Sequence, residues 1–160
     1  DNGFAISTRS ALLWDDALRE AVVLGNLIHH VLSKVNTMED VPVILEQLQE
    51  WGQLQEANEV YVKEKIMAVV QHPQLKEYFC PENQILNEQE ILMAHGKTLR
   101  PDRIIIKEGK ATLMDYKTGK PAPSHKQQIM EYADALKAMG FDIGHLIIVY
   151  IDHEIKPLFL

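Results

Sequence analysis

Residues 101–119 form two apolar runs around a short polar segment, and they read in order Pro-Asp-Arg-Ile-Ile-Ile-Lys-Glu-Gly-Lys-Ala-Thr-Leu-Met-Asp-Tyr-Lys-Thr-Gly. The polar segment predicts a turn centred between Glu108 and Gly109, because glycine adopts tight-turn conformations at little cost. The apolar runs on either side are then expected to pair as an antiparallel hairpin. If the loop has an even number of residues, Asp102 lies directly opposite Asp115, since both are equally far from the turn centre.

This hairpin is expected to gather two acids and one lysine on a single face. The Cβ atoms of Asp102 and Asp115 would lie about 5 Å apart, and Lys117 shares their face because side chains alternate along a strand. Opposed acids on a sheet repel each other unless a cation or a shared proton compensates them. The pattern therefore indicates a site for a hard divalent ion such as Mg²⁺ or Mn²⁺. The alternative is a solvated hairpin face with an incidental ion pair.

The first half of the chain is predicted to be mostly helical. Up to about Gln71, apolar residues recur at intervals of three and four, which is the spacing of amphipathic helices. Two of these helices are expected at residues 41–50 and 53–70. Trp14 and Trp51 fall within helical patterns, so we expect them to pack in the core or between helices rather than to stack on bases.

From Glu88 onward, short runs of branched apolar residues predict strands. These runs occupy residues 91–94, 99–106, 111–116 and 146–151. A helix over residues 125–139 is expected between the last two strands, with Ser124 and Gln127 spaced as a capping box and Gly140 as its stop. The predicted order of elements is α, β, β, β, α, β.

Length and composition favour one globular domain. The chain has 160 residues, of which 46% are hydrophobic and 24% are charged. We expect a single domain over residues 1–160, helical over 1–87 and with a sheet core over 88–160. No apolar run reaches the roughly 18 residues that span a bilayer, and the opening Asp1-Asn2-Gly3 differs from a secretion signal. The sequence therefore predicts a cytoplasmic protein with no membrane partner.

Cysteine count and net charge restrict the functions that are open to this chain. Cys80 is its single cysteine, which excludes an internal disulfide, a thiolate zinc site and a four-cysteine iron-sulfur cluster within one chain. The formal net charge is -7, which is unusual for a protein that binds nucleic acid alone, because phosphate binding uses Lys and Arg. The excess acid lies in the first half, whereas residues 97–126 are locally basic.

Several motifs together resemble the PD-(D/E)xK nuclease superfamily. Pro101-Asp102 followed by Asp-Tyr-Lys-Thr-Gly at residues 115–119 is similar to the superfamily pattern, and the pentapeptide resembles the RecB and AddA nuclease branch. That branch usually has Gly where Pro101 stands. Downstream, a helix has Gln128 and Tyr132 one turn apart, as in that branch. Upstream, Gly25 precedes a histidine by four residues, which also fits.

This resemblance implies an α/β (α+β) fold with a restriction-endonuclease-like core in the order α-β-β-β-α-β and an N-terminal helical region. It also implies metal-dependent hydrolysis of DNA. Asp102 and Asp115 become metal ligands, the backbone carbonyl of Tyr116 is a further ligand, and His29 completes the shell. Lys117 becomes the catalytic lysine. A buried, hydrogen-bonded core histidine is the alternative for His29.

The resemblance gives roles to three further residues. Gln128 and Tyr132 would face the site and contact the substrate or the surroundings of the nucleophile. Glu90, expected just inside the first strand, occupies the place where the branch usually has an acid, but Glu88 lies on the same strand face and could take that role. Ordinary packing is the alternative for Tyr132, and solvation is the alternative for Gln128.

The same resemblance suggests a helicase as partner. The RecB and AddA branch normally sits at the end of a helicase in DNA recombination and repair, yet this chain has no Gly-x-x-x-x-Gly-Lys-Ser/Thr phosphate loop. Two possibilities are a free-standing exonuclease and the terminal domain of a UvrD/Rep-like helicase-nuclease, and the abrupt start favours the second. We expect single-stranded DNA to be preferred, guided by a few basic residues near the site: Arg100, Arg103, Lys107, Lys120 and Lys126.

Two other functions compete with this interpretation. One is a catalytically silent nuclease fold that binds nucleic acid or scaffolds a larger complex, although loss of the acids or the lysine is the usual mark of such modules. The other is a metal-binding protein that has no nucleic-acid substrate. The second is weaker, because it leaves Lys117 and Gln128 unexplained.

Overall fold

The computed structural model describes residues 4–160, and it places four α-helices around a mixed sheet in that part of the chain. The helices are α1 (Phe4–Lys34), α2 (Val41–Glu50), α3 (Glu56–Val70) and α4 (Pro123–Ala138). A short 3₁₀ turn at Met38–Asp40 lies between α1 and α2, and a second at Lys76–Phe79 lies between α3 and the sheet. The predicted α/β class with an N-terminal helical region is therefore confirmed.

Seven strands form two separate sheets. They are β1 (Gln84–Asn87), β2 (Ile91–Leu92), β3 (Thr98–Leu99), β4 (Arg103–Lys107), β5 (Lys110–Lys117), β6 (Asp142–Ile151) and β7 (Ile155–Phe159). The main sheet has the order β1-β4-β5-β6-β7, and β2 and β3 pair as a small hairpin outside it. Only β5 and β6 are parallel. Helix α4 connects these two, as parallel neighbours require a crossover.

Helices cover both faces of the main sheet, and alternate residues of β4 and β5 point to different helices. Ile105, Met114 and Tyr116 belong to the core that contains the buried residues of α1, α2 and α3. Ile104 and Leu113 belong to the second core, which contains the buried residues of α4. Because side chains alternate along a strand, consecutive residues of the hairpin pack in turn against α1–α3 and against α4.

The strands differ from the sequence prediction in three places. The expected strand at 99–106 is broken by Pro101 into β3 and β4, which belong to different sheets. β1 was not predicted, because a four-residue strand with polar ends has little alternation to detect. β7 was not predicted either, since Pro157 lies inside it; β7 is the edge strand, where a missing N–H is tolerated.

Helix α4 begins earlier than its predicted capping box. Its N-cap is Ala122, so Ser124 lies inside the first turn and the expected Ser124–Gln127 box is wrong. Instead, Nδ1 of His125 accepts a hydrogen bond from the Ala122 backbone N–H at 3.3 Å. The other end agrees with the prediction, because Gly140 follows the helix with a φ of 94°, a left-handed conformation typical of a helix stop.

Residues 12–23 of α1 extend beyond the packed layers and are exposed. Trp14 is 69% exposed, and Trp51, just after α2, is 60% exposed. Both were expected to pack in the core or between helices, which is wrong, because the helical spacing does not reveal how far the neighbouring layers reach. Within the described residues, no helix is both long and apolar enough to cross a membrane.

Candidate active site

The β4–β5 hairpin has the register expected from its turn. Lys107 pairs with Lys110 across the two-residue loop, and the pairing continues to Arg103 opposite Met114. Glu108 and Gly109 have φ values of 52° and 77°, which is the backbone of a type I′ turn. One further step along this register places Asp102 opposite Asp115.

Asp102, Asp115 and Lys117 share one face of the sheet. Leu113 on β5 and Ile104 on β4 pack in the core of α4, and residues two positions further along each strand point the same way. Asp115 and Lys117 therefore extend from β5 toward α4, and Asp102 stands at the same face just before β4. A one-residue shift of the register would have separated the acids.

The side chains of this cluster are in direct contact. Oδ2 of Asp102 accepts the backbone N–H of Tyr116 at 2.8 Å. Nζ of Lys117 lies 2.9 Å from Oδ2 of Asp115 and donates to Oε1 of Gln128 at 2.7 Å. The contact with Asp115 is ionic but lacks hydrogen-bond geometry, since that buried oxygen has no hydrogen-bond partner among the described residues.

The two acids are electrostatically unfavourable neighbours. Burial, the negative charge of Asp115 and a hydrogen bond to it raise the pKa of Asp102 to about 8, although the Tyr116 N–H and the Lys117 ammonium act in the opposite direction. The single ammonium therefore does not compensate the two acids, and a proton or a cation is favoured at Asp102.

His29 reaches the cluster from α1. Its Nδ1 lies 3.9 Å from Oδ2 of Asp102, and its ring meets the Tyr116 ring edge-on with centroids 6.0 Å apart. Burial lowers the pKa of His29, and the charge of Asp115 together with the Tyr116 backbone carbonyl partly offsets this. The histidine is thus next to Asp102 and to the predicted carbonyl ligand, in an environment that favours the neutral imidazole.

Gly25 explains how α1 comes so close to the hairpin. A Cβ atom at Gly25 would lie 2.6 Å from Oγ1 of Thr118, closer than real Cβ atoms approach. Gly25 stands one turn before His29, and Thr118 directly follows Lys117. The missing side chain therefore allows the helix to approach the end of β5 and His29 to reach the acids.

Helix α4 contributes the two predicted residues on its sheet-facing side. Gln128 holds the Lys117 ammonium, and Tyr132 is buried within hydrogen-bonding reach of Gln128. Burial raises the pKa of Tyr132 to about 12, and the charges of Asp115 and Asp102 act in the same direction. The structure thus brings Lys117 into contact with Asp115 and Gln128, places Tyr132 beside Gln128, and places His29 near Asp102.

Comparison with known proteins identifies the family to which this site belongs. The sequence profile of the PD-(D/E)XK nuclease superfamily matches residues 4–156. The chain belongs to this superfamily. A solved structure described as "Crystal structure of SSO0001" is similar at 23% identity with a TM-score of 0.37, covering 89% of this chain and 77% of that one. None of the curated proteins matches the chain.

Nucleases of the PD-(D/E)XK superfamily typically use Mg²⁺ or Mn²⁺, although some members are inactive. The donor set here fits such a cation, because two buried carboxylates repel each other and Oδ2 of Asp115 has no hydrogen-bond partner. Among the described residues, no group of three or more His, Cys, Asp or Glu side chains lies close enough together to hold a metal ion. A hard cation takes part of its shell from waters and substrate oxygens and can be held by one or two carboxylates.

In the segment between β1 and β2, the acid nearest the site is Glu88 rather than Glu90. Glu90 is exposed and lies just before β2, outside the main sheet, so its expected place inside the first strand is wrong. The Glu88 N–H donates to the Asp102 carbonyl at 3.0 Å, and its charge is among those acting on His29. Glu88 has a φ of 47°, an unfavourable conformation for this residue type that is often found at functional sites.

Arg103 does not face a substrate, contrary to expectation. It is completely buried, and its guanidinium donates to the backbone carbonyls of Val35 at 2.6 Å, Asn36 at 2.7 Å and Tyr78 at 2.8 Å. It also stacks on Phe79. Arg103 therefore ties the end of α1 to the residue after Asp102, a role that one sequence cannot reveal because the acceptors are backbone atoms.

Proposed function

We propose that this PD-(D/E)XK domain hydrolyses DNA phosphodiester bonds with the help of Mg²⁺ or Mn²⁺. The observation that supports this most strongly is the cluster of Asp102, Asp115 and Lys117, in which two buried acids lie together beside one ammonium. Such an arrangement costs folding free energy in the absence of a cation. Evolution of a stable fold alone would not favour it.

In this proposal the cation binds to Asp102, Asp115, the Tyr116 carbonyl and His29. Carboxylate and carbonyl oxygens suit Mg²⁺, and the imidazole makes Mn²⁺ the better fit. When bound, the cation supplies charge neutralisation at the phosphodiester and acidifies a water. The Tyr116 N–H fixes one oxygen of Asp102, so that carboxylate is already oriented before binding.

Lys117 acts on the reacting phosphate itself. Its ammonium donates to Gln128 and lies against Asp115, so one of its three donors has a fixed direction. The other two can orient the attacking water or stabilise the charge that develops in the transition state. Gln128 therefore positions the lysine, and Tyr132, near Gln128 on α4, contacts the substrate or the surroundings of the nucleophile.

We further propose how this activity is used. Residues 1–160 act as a single exonuclease domain in the cytoplasm, delivered to DNA by an ATP-dependent helicase during recombination or repair. The net charge of -7 supports a delivering partner, because this domain neutralises few phosphates alone. Burial of Arg103 reduces its basic surface further. Single strands are preferred, since a flexible strand can enter a pocket that an intact duplex cannot.

Incubating the purified protein with end-labelled single- and double-stranded DNA in Mg²⁺ or Mn²⁺ tests this function. We expect cleavage that requires the metal, is faster on single strands and disappears in Asp115→Asn, whose Mn²⁺ affinity should fall in calorimetry. Lys137→Ala is the matched control, because it removes an exposed charge from the last turn of α4, away from the cluster. Metal-dependent DNA binding without any cleavage by the wild type would instead indicate the silent module.

A further inference from the structure

A polar pocket adjoins the catalytic cluster on the side of helix α4. It has a volume of about 500 Å³ and is lined by Lys117, Ser124, His125, Gln127, Gln128 and Glu131. Two of these six residues, Lys117 and Gln128, already belong to the cluster. The other four have no role in the chemistry described above, so the pocket is an extension of the site with its own lining.

His125 is held in one orientation at the wall of this pocket. Its Nδ1 accepts the Ala122 backbone N–H at 3.3 Å and lies 2.9 Å from the hydroxyl of Tyr150. Tyr150 stands directly beside Lys117 on the neighbouring strand. His125 is also one turn before Gln128 on α4, so two contacts fix the imidazole next to the lysine.

These contacts determine which nitrogen of His125 donates. A backbone N–H can only donate, so Nδ1 must be unprotonated, and the Tyr150 hydroxyl then donates to it as well. The ring proton of the neutral imidazole is consequently on Nε2. No described residue accepts a hydrogen bond from Nε2, which leaves this N–H as a free donor at the pocket.

The other residues that line the pocket favour the binding of an anion. Ser124 and Gln127 are exposed and provide a hydroxyl and an amide donor, and Lys117 provides positive charge. Glu131 is the one acid in the lining, and it is paired with Lys97 in an ion pair. Its charge is therefore partly neutralised, and the donors outnumber the acceptors.

We infer that this pocket binds the phosphate group next to the scissile one on the DNA strand, with Nε2 of His125 as its oriented donor. The inference rests on the proposed function, which puts the scissile phosphate at the acids and Lys117. A single strand passing Lys117 would bring its neighbouring phosphate to α4. His125 would then set the position of the strand without touching the reacting atoms.

Two substitutions at His125 separate this role from a structural one. Asn can retain an acceptor where Nδ1 stands and so preserve the contacts with Ala122 and Tyr150, but it has no group at Nε2. Gln can extend an amide donor to the Nε2 position. Lys137→Ala is the control, because it removes a full positive charge from the last turn of the same helix, at a residue that does not line the pocket.

The test compares oligonucleotides that have a neutral methylphosphonate in place of one phosphate flanking the cleaved bond. For the wild type, one flanking position should raise KM about tenfold with little change in kcat, as expected for one lost charge-assisted hydrogen bond. His125→Asn should raise KM about tenfold on natural DNA and no longer respond to that methylphosphonate. His125→Gln and Lys137→Ala should behave like the wild type.

Equal methylphosphonate responses in wild type and His125→Asn at both flanking positions would overturn the inference. The inference would also be overturned if the KM of the wild type did not change with the modification at either position, and this result needs no folded variant. Fluorescence anisotropy in Ca²⁺ gives the same comparison as a change in Kd. A wild type that binds DNA but never cleaves it would refute the proposed function, while the Kd values still decide whether the pocket binds phosphate.

Discussion

Substituting Gly25 by Ala probes how closely α1 must approach the hairpin. The new Cβ would lie 3.3 Å from Cβ of Thr118 and 2.6 Å from its Oγ1, and the second distance is 0.4 Å shorter than the 3.0 Å that real Cβ contacts keep. Overpacking of this kind costs about 1–3 kcal/mol, whereas Gly→Ala within a helix normally stabilises by up to about 1 kcal/mol. We therefore expect Gly25→Ala to destabilise the protein by about 1 kcal/mol.

Thr118→Ala provides the matched background for this prediction. It removes Oγ1 and Cγ2 and leaves only the 3.3 Å contact with Cβ, and Thr118 is exposed, so alone it should change the free energy of unfolding by less than about 0.5 kcal/mol. In that background Gly25→Ala should become neutral or stabilising. Urea denaturation of the four proteins gives a coupling energy of about 1–2 kcal/mol.

The same substitution should affect activity beyond its effect on stability. His29 is one turn from Gly25, so a displacement of α1 moves the imidazole relative to Asp102 and weakens Mn²⁺ binding. Thr118→Ala should restore part of that affinity. The reasoning fails if Gly25→Ala stabilises the protein equally in both backgrounds, because the close contact would then impose no constraint.

Three further predictions concern charge. Asp102→Asn should stabilise the metal-free protein on the order of 2 kcal/mol at pH 7, because the pKa of Asp102 is about 8 in the folded protein and lower in the unfolded chain. The wild type therefore loses stability as the pH rises from the unfolded to the folded pKa. In thermal unfolding, the difference in stability between the variant and the wild type should vanish near pH 4. Arg103→Met should cost about 3 kcal/mol in urea denaturation by orphaning buried carbonyls, whereas exposed Lys107→Ala should be nearly neutral. Fluorescence anisotropy should show that the protein alone binds duplex DNA weakly and that this binding weakens further as salt rises. Tight binding of duplex DNA at physiological salt would contradict delivery by a partner.

The part of the site that depends on local geometry was predictable. Glu108-Gly109 determines a two-residue turn, the turn determines the register, and the register places Asp102 opposite Asp115 with Lys117 on the same face. The helix with Gln128 was also predictable, since its apolar spacing and Gly140 mark it. Each of these features depends on residues close together in the sequence.

Features that depend on distant backbone were not predictable. Arg103 looks like a surface base in the sequence, yet its acceptors are carbonyls at the end of α1 and near Phe79, which no residue pattern reveals. Glu90 was predicted, with Glu88 as its alternative, because the run at residues 91–94 was expected to be the first strand of the core, whereas β2 pairs with β3 outside the main sheet. Trp14 was expected to be covered because helical periodicity does not indicate where packing ends.

The rate of single-turnover cleavage of single-stranded DNA at saturating Mn²⁺, compared between wild type and Lys117→Ala, tests the proposed chemistry most directly. Lys117 is held by Gln128 beside Asp115 rather than taking part in the proposed metal shell, so metal affinity in calorimetry should be largely retained. The rate should fall by about two to three decades, as expected for a lost transition-state contact of a few kcal/mol. A variant that cleaves as fast as the wild type would contradict the account.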